Sequence, residues 1–362
     1  MIGAPNAWIL QPYVPRYRTP FFQGLASRLA SDGVALKVVV PDPAPTGTRA
    51  DAETVGASWC VQAAVRRARI AGKEIDLLRN RIPAERGDVV ITGLQGTLPE
   101  TYRALLGARR RGVAVGLWGH VGAYTGSANR LDTALERWQM RTADRVFAYT
   151  PAGARLAERS GARAVTTVMN SVDTTYLDRI DGAEAAETLM GTSPPEGIVV
   201  GYVGALDASK RLGLLAEALD LLWADDVAVT VLVAGHGPDG ALLKPAEARG
   251  QVRLLGYGDE SVKAALAATC SGFVMPGRIG LIAVETLAMG LPLVAPSWDF
   301  HAPEAEYLVE GESLISTPDS ARGLADGIRS LQGRTRQTWP HPTLEAMVEN
   351  YAEGVLAMVR AR

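Results

Sequence analysis

The chain has 362 residues, is 47% hydrophobic and 21% charged, and carries a formal net charge of −2. That length suits about two domains, and the composition excludes a disordered or fibrous chain. No apolar run approaches the ~18 residues of a membrane span, the first residues lack the basic and long apolar regions of a secretory signal, and Cys60 and Cys270, the two cysteines, have no metal-binding or redox spacing. A reduced, cytoplasmic setting is the expectation.

Taken in order, Ala7–Leu10 is a short apolar run and reads as the first strand. A loop with Pro12 and Pro15 follows, then Thr19 as a helix cap with Pro20 at the first helical position. Val34–Val40, Asp88–Ile91, Val113–Trp118, Arg145–Ala148 and Val165–Met169 are predicted strands, with helical patterns between them and a Pro/Gly-containing loop over Asp42–Thr54. The pattern weakens over Asp181–Gly197, which reads as a linker. It restarts with strands at Ile198–Val203, Val227–Ala234, Val252–Leu255, Phe273–Met275 and Leu293–Ala295. Trp339–Pro342 breaks the chain before a last helix at Thr343–Arg360. Strands alternating with amphipathic helices imply parallel sheets covered on both faces.

The small net charge conceals an asymmetry. Residues 1–180 hold 24 Lys and Arg against 15 Asp and Glu, and the remainder holds 13 against 24. A basic half and an acidic half predict two domains with different partners. The basic excess gathers at Arg66, Arg67, Arg69, Lys73, Arg79 and Arg81, read as a basic helix, and again at Arg109–Arg111. Its readings are a peripheral surface for an anionic acceptor or membrane, or a plain solvated helix. Nucleic acid is disfavoured, because there is no zinc pattern and no aromatic-studded RNA-binding strand.

One stretch carries the most chemistry. Phe273–Gly290 reads as a buried strand, a loop with Pro276, Gly277 and Gly280, and a helix from Ile282 that Gly290 ends. A helix starting at such a loop aims unpaired N–H groups and the positive end of its dipole at a ligand, which suits a phosphate or diphosphate. Glu285, about one turn in, is placed to accept hydrogen bonds from sugar hydroxyls. On shape alone the same stretch also reads as a buried strand–turn–helix with a solvated glutamate.

Several segments together resemble the family-4 retaining glycosyltransferases of the GT-B fold. They are GYVGALDASKRLGLLAEAL (201–219), VLVAGHGPDGALL (231–243), VRLLGY (252–257), PGRIGLIAVETLAMGLPLVA (276–295) and HAPEAEYLVEGESLI (301–315). WGH (118–120), ADRVFAYTPAGARLAE (143–158), VMNSVDTTYL (168–177) and the final TWPHPTLEAMVENYAEGVL (338–356) fit in the same order. The resemblance implies two Rossmann-like domains with parallel sheets facing a central cleft. Residues 1–180 would bind the acceptor, 181–340 the nucleotide sugar, and a helix in 341–362 would cross back to the first domain.

The resemblance also assigns roles. Lys210 would contact the donor diphosphate and stabilise charge developing on the leaving group. Gly204, Arg278, Gly280, Leu281 and Ile282 would complete the phosphate site, and Glu285 would hold the ribose. His120, after the strand Val113–Trp118, would sit near the transferred sugar. Arg16 and Arg18 are acceptor-side candidates in a loop that lacks the family's usual glycines. Two positions depart from the family: Gly277 replaces a glutamate that meets the sugar, and Ala205 replaces an arginine. They leave open an altered GT-B protein, such as an epimerase, a pseudo-glycosyltransferase or a sugar-nucleotide-binding scaffold. No metal or cofactor is expected, since no Asp-x-Asp diphosphate context and no dinucleotide fingerprint is present.

Overall fold

The computed structural model describes residues 4–42, 54, 56–70, 73–96, 98–108, 111–122, 130–191, 195 and 197–361. The chain divides into two compact units, Met1–Asp173 with Pro342–Arg362, and Thr174–His341.

The first unit contains β1 (Asn6–Leu10), α1 (Thr19–Ser31), β2 (Ala35–Asp42), β3 (Cys60–Ile70), β4 (Lys73–Leu78), β5 (Val89–Gly93), α2 (Pro99–Ala108), β6 (Ala114–Gly119), α3 (Arg130–Thr142), β7 (Arg145–Ala148), α4 (Pro151–Arg159) and β8 (Val165–Thr167). The strands form one sheet in the order β4-β3-β2-β1-β5-β6-β7-β8. Every pairing is parallel except β3 with β4, which is antiparallel.

That exception corrects the expected basic helix at 66–81. Exposure alternates residue by residue along 61–66, the period of a strand and not of a helix. Val61, Ala63 and Val65 take the more buried side, and β2 supplies backbone partners. Of the second basic cluster, Arg109 and Arg110 lie outside the described residues, as do positions 43–53 of the expected Asp42–Thr54 loop.

The core of this unit is built from α1, the sheet and the C-terminal helix Leu344–Arg360. Phe21, Phe22, Leu25 and Leu29 face Ile9, Val38 and Ile91, while Met347, Tyr351 and Val355 come from the last helix. Thr343 starts that helix by accepting a hydrogen bond from the Ala346 N–H (3.1 Å). Tyr351 stacks on Phe147 with ring centres 4.6 Å apart. Asp88, buried, accepts from the N–H groups of Asn6 (2.7 Å) and Glu85 (3.0 Å) and from the Trp8 indole (3.1 Å), tying β1 to the entry of β5.

The second unit contains α5 (Tyr176–Arg179), α6 (Gly182–Met190), β9 (Ile198–Val203), α7 (Leu212–Ala224), β10 (Val229–Ala234), α8 (Lys244–Ala248), β11 (Val252–Gly256), α9 (Glu260–Thr269), β12 (Gly272–Val274), α10 (Ile282–Met289), β13 (Leu293–Pro296), β14 (Leu314–Thr317) and α11 (Ala321–Arg329). Its sheet is parallel, in the order β11-β10-β9-β12-β13-β14. Strand β14 had no counterpart in the sequence reading.

Half of the expected linker is helix. Asp181 accepts from the N–H groups of Ala183 (2.9 Å) and Glu184 (3.2 Å) and launches α6, which packs on α9. Chain order reverses between β9 and β12, and such switch points are where open α/β sheets bind ligands, beyond the strands' C-terminal ends. Among the described residues no helix is long and apolar enough to cross a membrane.

Candidate active site

Two loops meet at the β9/β12 switch point. The first leaves β9 at Gly204 and makes a tight turn over Ala208–Lys210, capped by Asp207, which accepts from the Ser209 N–H (3.0 Å). Arg211 then adopts a left-handed conformation (φ 51°), rare for a residue with a side chain, and leads into α7. The second loop runs from Pro276 to Leu281, between β12 and α10.

The loops are laced in both directions. The Arg278 N–H donates to Ser209 O (2.9 Å), and Lys210 Nζ donates to Arg278 O. This close approach requires glycine at 277. A Cβ there would lie 2.4 Å from Ser209 O and 2.7 Å from Lys210 Cα, both backbone atoms. A glutamate is therefore not merely missing at this position; the backbone occupies its space.

The lacing gathers positive charge. Lys210 and Arg278 are half-buried, and burial lowers the Arg278 pKa against an opposing contribution from Glu304. Arg211 pairs with Asp319 (2.7 Å) and lies over the Trp298 ring, 5.2 Å from its centre. Arg211 Nη1 is buried with no hydrogen-bond partner among the described residues.

His301 braces the second loop. Its Nδ1 accepts from the Ile279 N–H (3.2 Å) and its Nε2 lies 3.1 Å from Pro296 O. That pattern requires a neutral ring with the proton on Nε2. Burial holds the His301 pKa below its usual value; Lys210, Arg211 and Arg278 push the same way, and Pro296 O opposes them.

Helix α10 starts beyond this loop with Leu281 at its cap position and no side-chain cap. The N–H groups of Gly280, Leu281 and Ile282 make no hydrogen bond to protein among the described residues. They and the helix dipole add to the field of the three cations.

Glu285, one turn into α10, is only 6% exposed. Its Oε1 accepts from Lys263 Nζ (2.6 Å), and that ammonium lies 5.5 Å from the centre of the Tyr176 ring. Burial alone would lower the Lys263 pKa, but the Glu285 carboxylate outweighs it and the net shift is upward. The sequence reading missed Lys263. The available signal was a single cation among the alanines of ESVKAALAAT (260–269).

The two loops, their backbone N–H groups and a buried carboxylate one helical turn beyond form a candidate anion site at the start of a helix. The chain also matches known families. A family profile described as "Glycosyl transferases group 1" matches residues 197–333, and one described as "Glycosyl transferase 4-like domain" matches residues 19–172.

The chain belongs to the family-4 glycosyltransferases of the GT-B fold.

Solved structures share the fold over nearly the whole chain. Sucrose-phosphate synthase from Thermosynechococcus elongatus is 14% identical, with a TM-score of 0.64 over 99% of this chain and 94% of that one. The Anabaena protein HepE, solved in complex with UDP, is 13% identical, with a TM-score of 0.60 over 99% and 98%. The pneumococcal O-GlcNAc transferase GtfA, in complex with UDP and GlcNAc, is 10% identical, with a TM-score of 0.58 over 99% and 97%. No curated protein matches the chain significantly.

Within this glycosyltransferase the sequence-predicted residues fall into two groups. Gly204, Lys210, Arg278, Gly280, Leu281, Ile282 and Glu285 all lie in the second unit. Gly204 sits beside the lysine, since a Cβ there would lie 3.6 Å from Lys210 Cε. Ala205, at the arginine position, uses its carbonyl to accept from the Tyr202 hydroxyl (2.8 Å).

His120, Arg16 and Arg18 belong to the first unit. His120 is exposed beyond β6, its ring edge-on to Tyr149 with centres 4.7 Å apart. Arg16 is exposed. Arg18 is buried: it donates to Asn170 Oδ1 (2.5 Å) and Ser171 O (3.2 Å), and its guanidinium lies 5.8 Å from the centre of the Trp118 ring. It also occupies the cap position of α1, so Thr19 is the first helical residue and not the cap.

Proposed function

We propose that this glycosyltransferase moves a sugar from a nucleotide-diphosphate sugar to a hydroxyl acceptor, with retention at the anomeric carbon and without a metal. The second unit would take the donor and the first the acceptor, in a cytoplasmic setting. The reading rests on one observation: the loop that carries Lys210 and Arg211 is laced by hydrogen bonds to the loop that carries Arg278 and leads into α10. A diphosphate there would meet fixed charges and N–H groups that need no rearrangement as the leaving group departs.

In the proposed step the bond from the anomeric carbon to the diphosphate oxygen breaks while the acceptor hydroxyl attacks on the same face. The leaving oxygen takes the acceptor's proton, and Lys210 holds the remaining charge. A carboxylate nucleophile is not invoked. Gly277 supplies none, and Glu285 is held by Lys263, where it is suited to a ribose hydroxyl. HepE and GtfA were each solved with UDP, which makes a uridine nucleotide the first donor to try.

Gly277 and Ala205 also favour a second reading, a GT-B protein that binds sugar nucleotide but has lost or altered transfer. Calorimetry with UDP, GDP, dTDP and ADP and their sugars tests both. Selective binding that is lost in Glu285→Ala, followed by transfer to an added acceptor, supports the first reading. Binding with no transfer to any acceptor supports the second, and no binding by any nucleotide overturns both.

A further inference from the structure

Away from that site, the first unit holds a cavity of about 440 Å³ between β1, β5 and one side of α2. Its wall is apolar where Leu10, Ile82, Val90, Ala104 and Leu106 meet. Tyr102 adds an aromatic face. Its hydroxyl is committed to Gly96 O (2.6 Å), and its ring is stacked against Trp138 with centres 5.7 Å apart and planes 17° apart. Leu106 is 64% exposed and Trp138 40% exposed, so the apolar wall continues onto the surface as a ridge. Exposed apolar side chains that continue the wall of a cavity, unlike singly scattered ones, are the kind that mark a binding surface.

The remaining lining is basic. Arg81, Arg103 and Arg111 border the cavity with one carboxylate, Glu100. Glu100 is already satisfied by Arg103 (2.6 Å) and by the Leu78 N–H (3.0 Å). Arg111 donates to two backbone carbonyls, Ile82 O and Ala84 O (both 3.3 Å), and has no carboxylate partner among the described residues. Arg81 is exposed, and no carboxylate among the described residues pairs with Arg81 or Arg111. An apolar slot with two guanidinium groups at its edge, neither paired with a carboxylate among the described residues, complements a molecule with an apolar body and an anionic head.

We infer that this cavity binds a single-chain anionic amphiphile, its alkyl or prenyl chain along α2 and its phosphate or carboxylate on Arg81 and Arg111. The volume lies toward the small end of ligand pockets, which run from roughly 300 to 1,000 Å³, so it accommodates one chain and not a two-chain lipid.

Calorimetry on the full chain with decyl phosphate, decanol and inorganic phosphate tests this. Decyl phosphate should bind at least tenfold more tightly than either of the other two. Arg81→Gln and Leu106→Asp, both at exposed positions where folding is insensitive to them, should each weaken it severalfold or more. Tryptophan emission should change on binding, and Trp138→Phe should lose most of that change while keeping the affinity within about threefold. Equal affinity for decanol, equal affinity for inorganic phosphate, or no effect of either variant overturns the assignment. So does adsorption to anionic vesicles with no binding of decyl phosphate, since that would make the basic face a membrane patch and not a pocket.

Discussion

The loop after β1 and the loop after β9 occupy equivalent places, each following the first strand of its unit and ending in a cation. Their fates differ. Arg18 turns inward, is wrapped by Phe21 and Trp118, and gives its nitrogens to Asn170 and Ser171. Lys210 and Arg211 stay at the end of the sheet, beside Arg278 and a histidine whose ring is already committed. A cation whose donors are spent on protein acceptors holds structure together. Cations crowded against one another at the end of a sheet are placed to act on a ligand. Position in the topology nominates a residue, but its partners assign the role.

That comparison can be broken by separating stability from ligand chemistry. The largest effect should come from Arg18→Leu, which strands two buried acceptors and costs about 2–4 kcal/mol. Urea unfolding of the first unit measures it, with nucleotide affinity unchanged. A loss of nucleotide affinity instead would place Arg18 in the site. Lys210→Ala should do the opposite, lowering turnover about a hundredfold, roughly 2.7 kcal/mol, with little change in melting and a smaller loss of donor affinity. Equal losses in turnover and affinity would mean that it binds the donor without favouring the transition state.

Gly277→Glu sharpens the comparison from the backbone side. The new side chain must part the two loops, costing about 1–3 kcal/mol of stability and weakening nucleotide binding. Improved transfer would show that the loops yield and that the family's glutamate can be restored. The smallest effect concerns pH. Because the fold holds His301 neutral with a pKa below the ordinary 6.5, the unfolded chain takes up its proton first as pH falls. Its contribution is complete above that value and is lost as pH drops from 6.5 toward the folded pKa. A melting series across that range should flatten in His301→Gln.

The strand–loop–helix at 273–290 was legible because apolar runs, glycines and a helical period coincide there in one short stretch. The final helix was legible because Trp339–Pro342 breaks the chain before it. The basic hairpin reads as helix because Arg66, Arg69 and Lys73 have helical spacing, while the deciding signal is the weaker alternation of Val61, Ala63 and Val65. The weakened pattern over Asp181–Gly197 reads as linker, although Asp181 followed by Glu184 is a helix-start pattern. Strand β14 offers only four residues, which local pattern alone does not resolve. The bracing role of His301 and the partner of Lys263 lie beyond local pattern, although Lys263 stands out as a cation among alanines. Each meets its partner 22 residues away, and only the folded sheet brings them together.

The helix Leu344–Arg360 supplies Met347, Tyr351 and Val355 to the core of a unit whose other elements were all made before residue 174. During synthesis the second unit is contiguous and can close as soon as it leaves the ribosome. The first unit, although its strands are translated earlier, lacks part of its core until this helix has been made. A premature stop that removes Met347, Tyr351 and Val355 would therefore injure a unit most of which had already been synthesised.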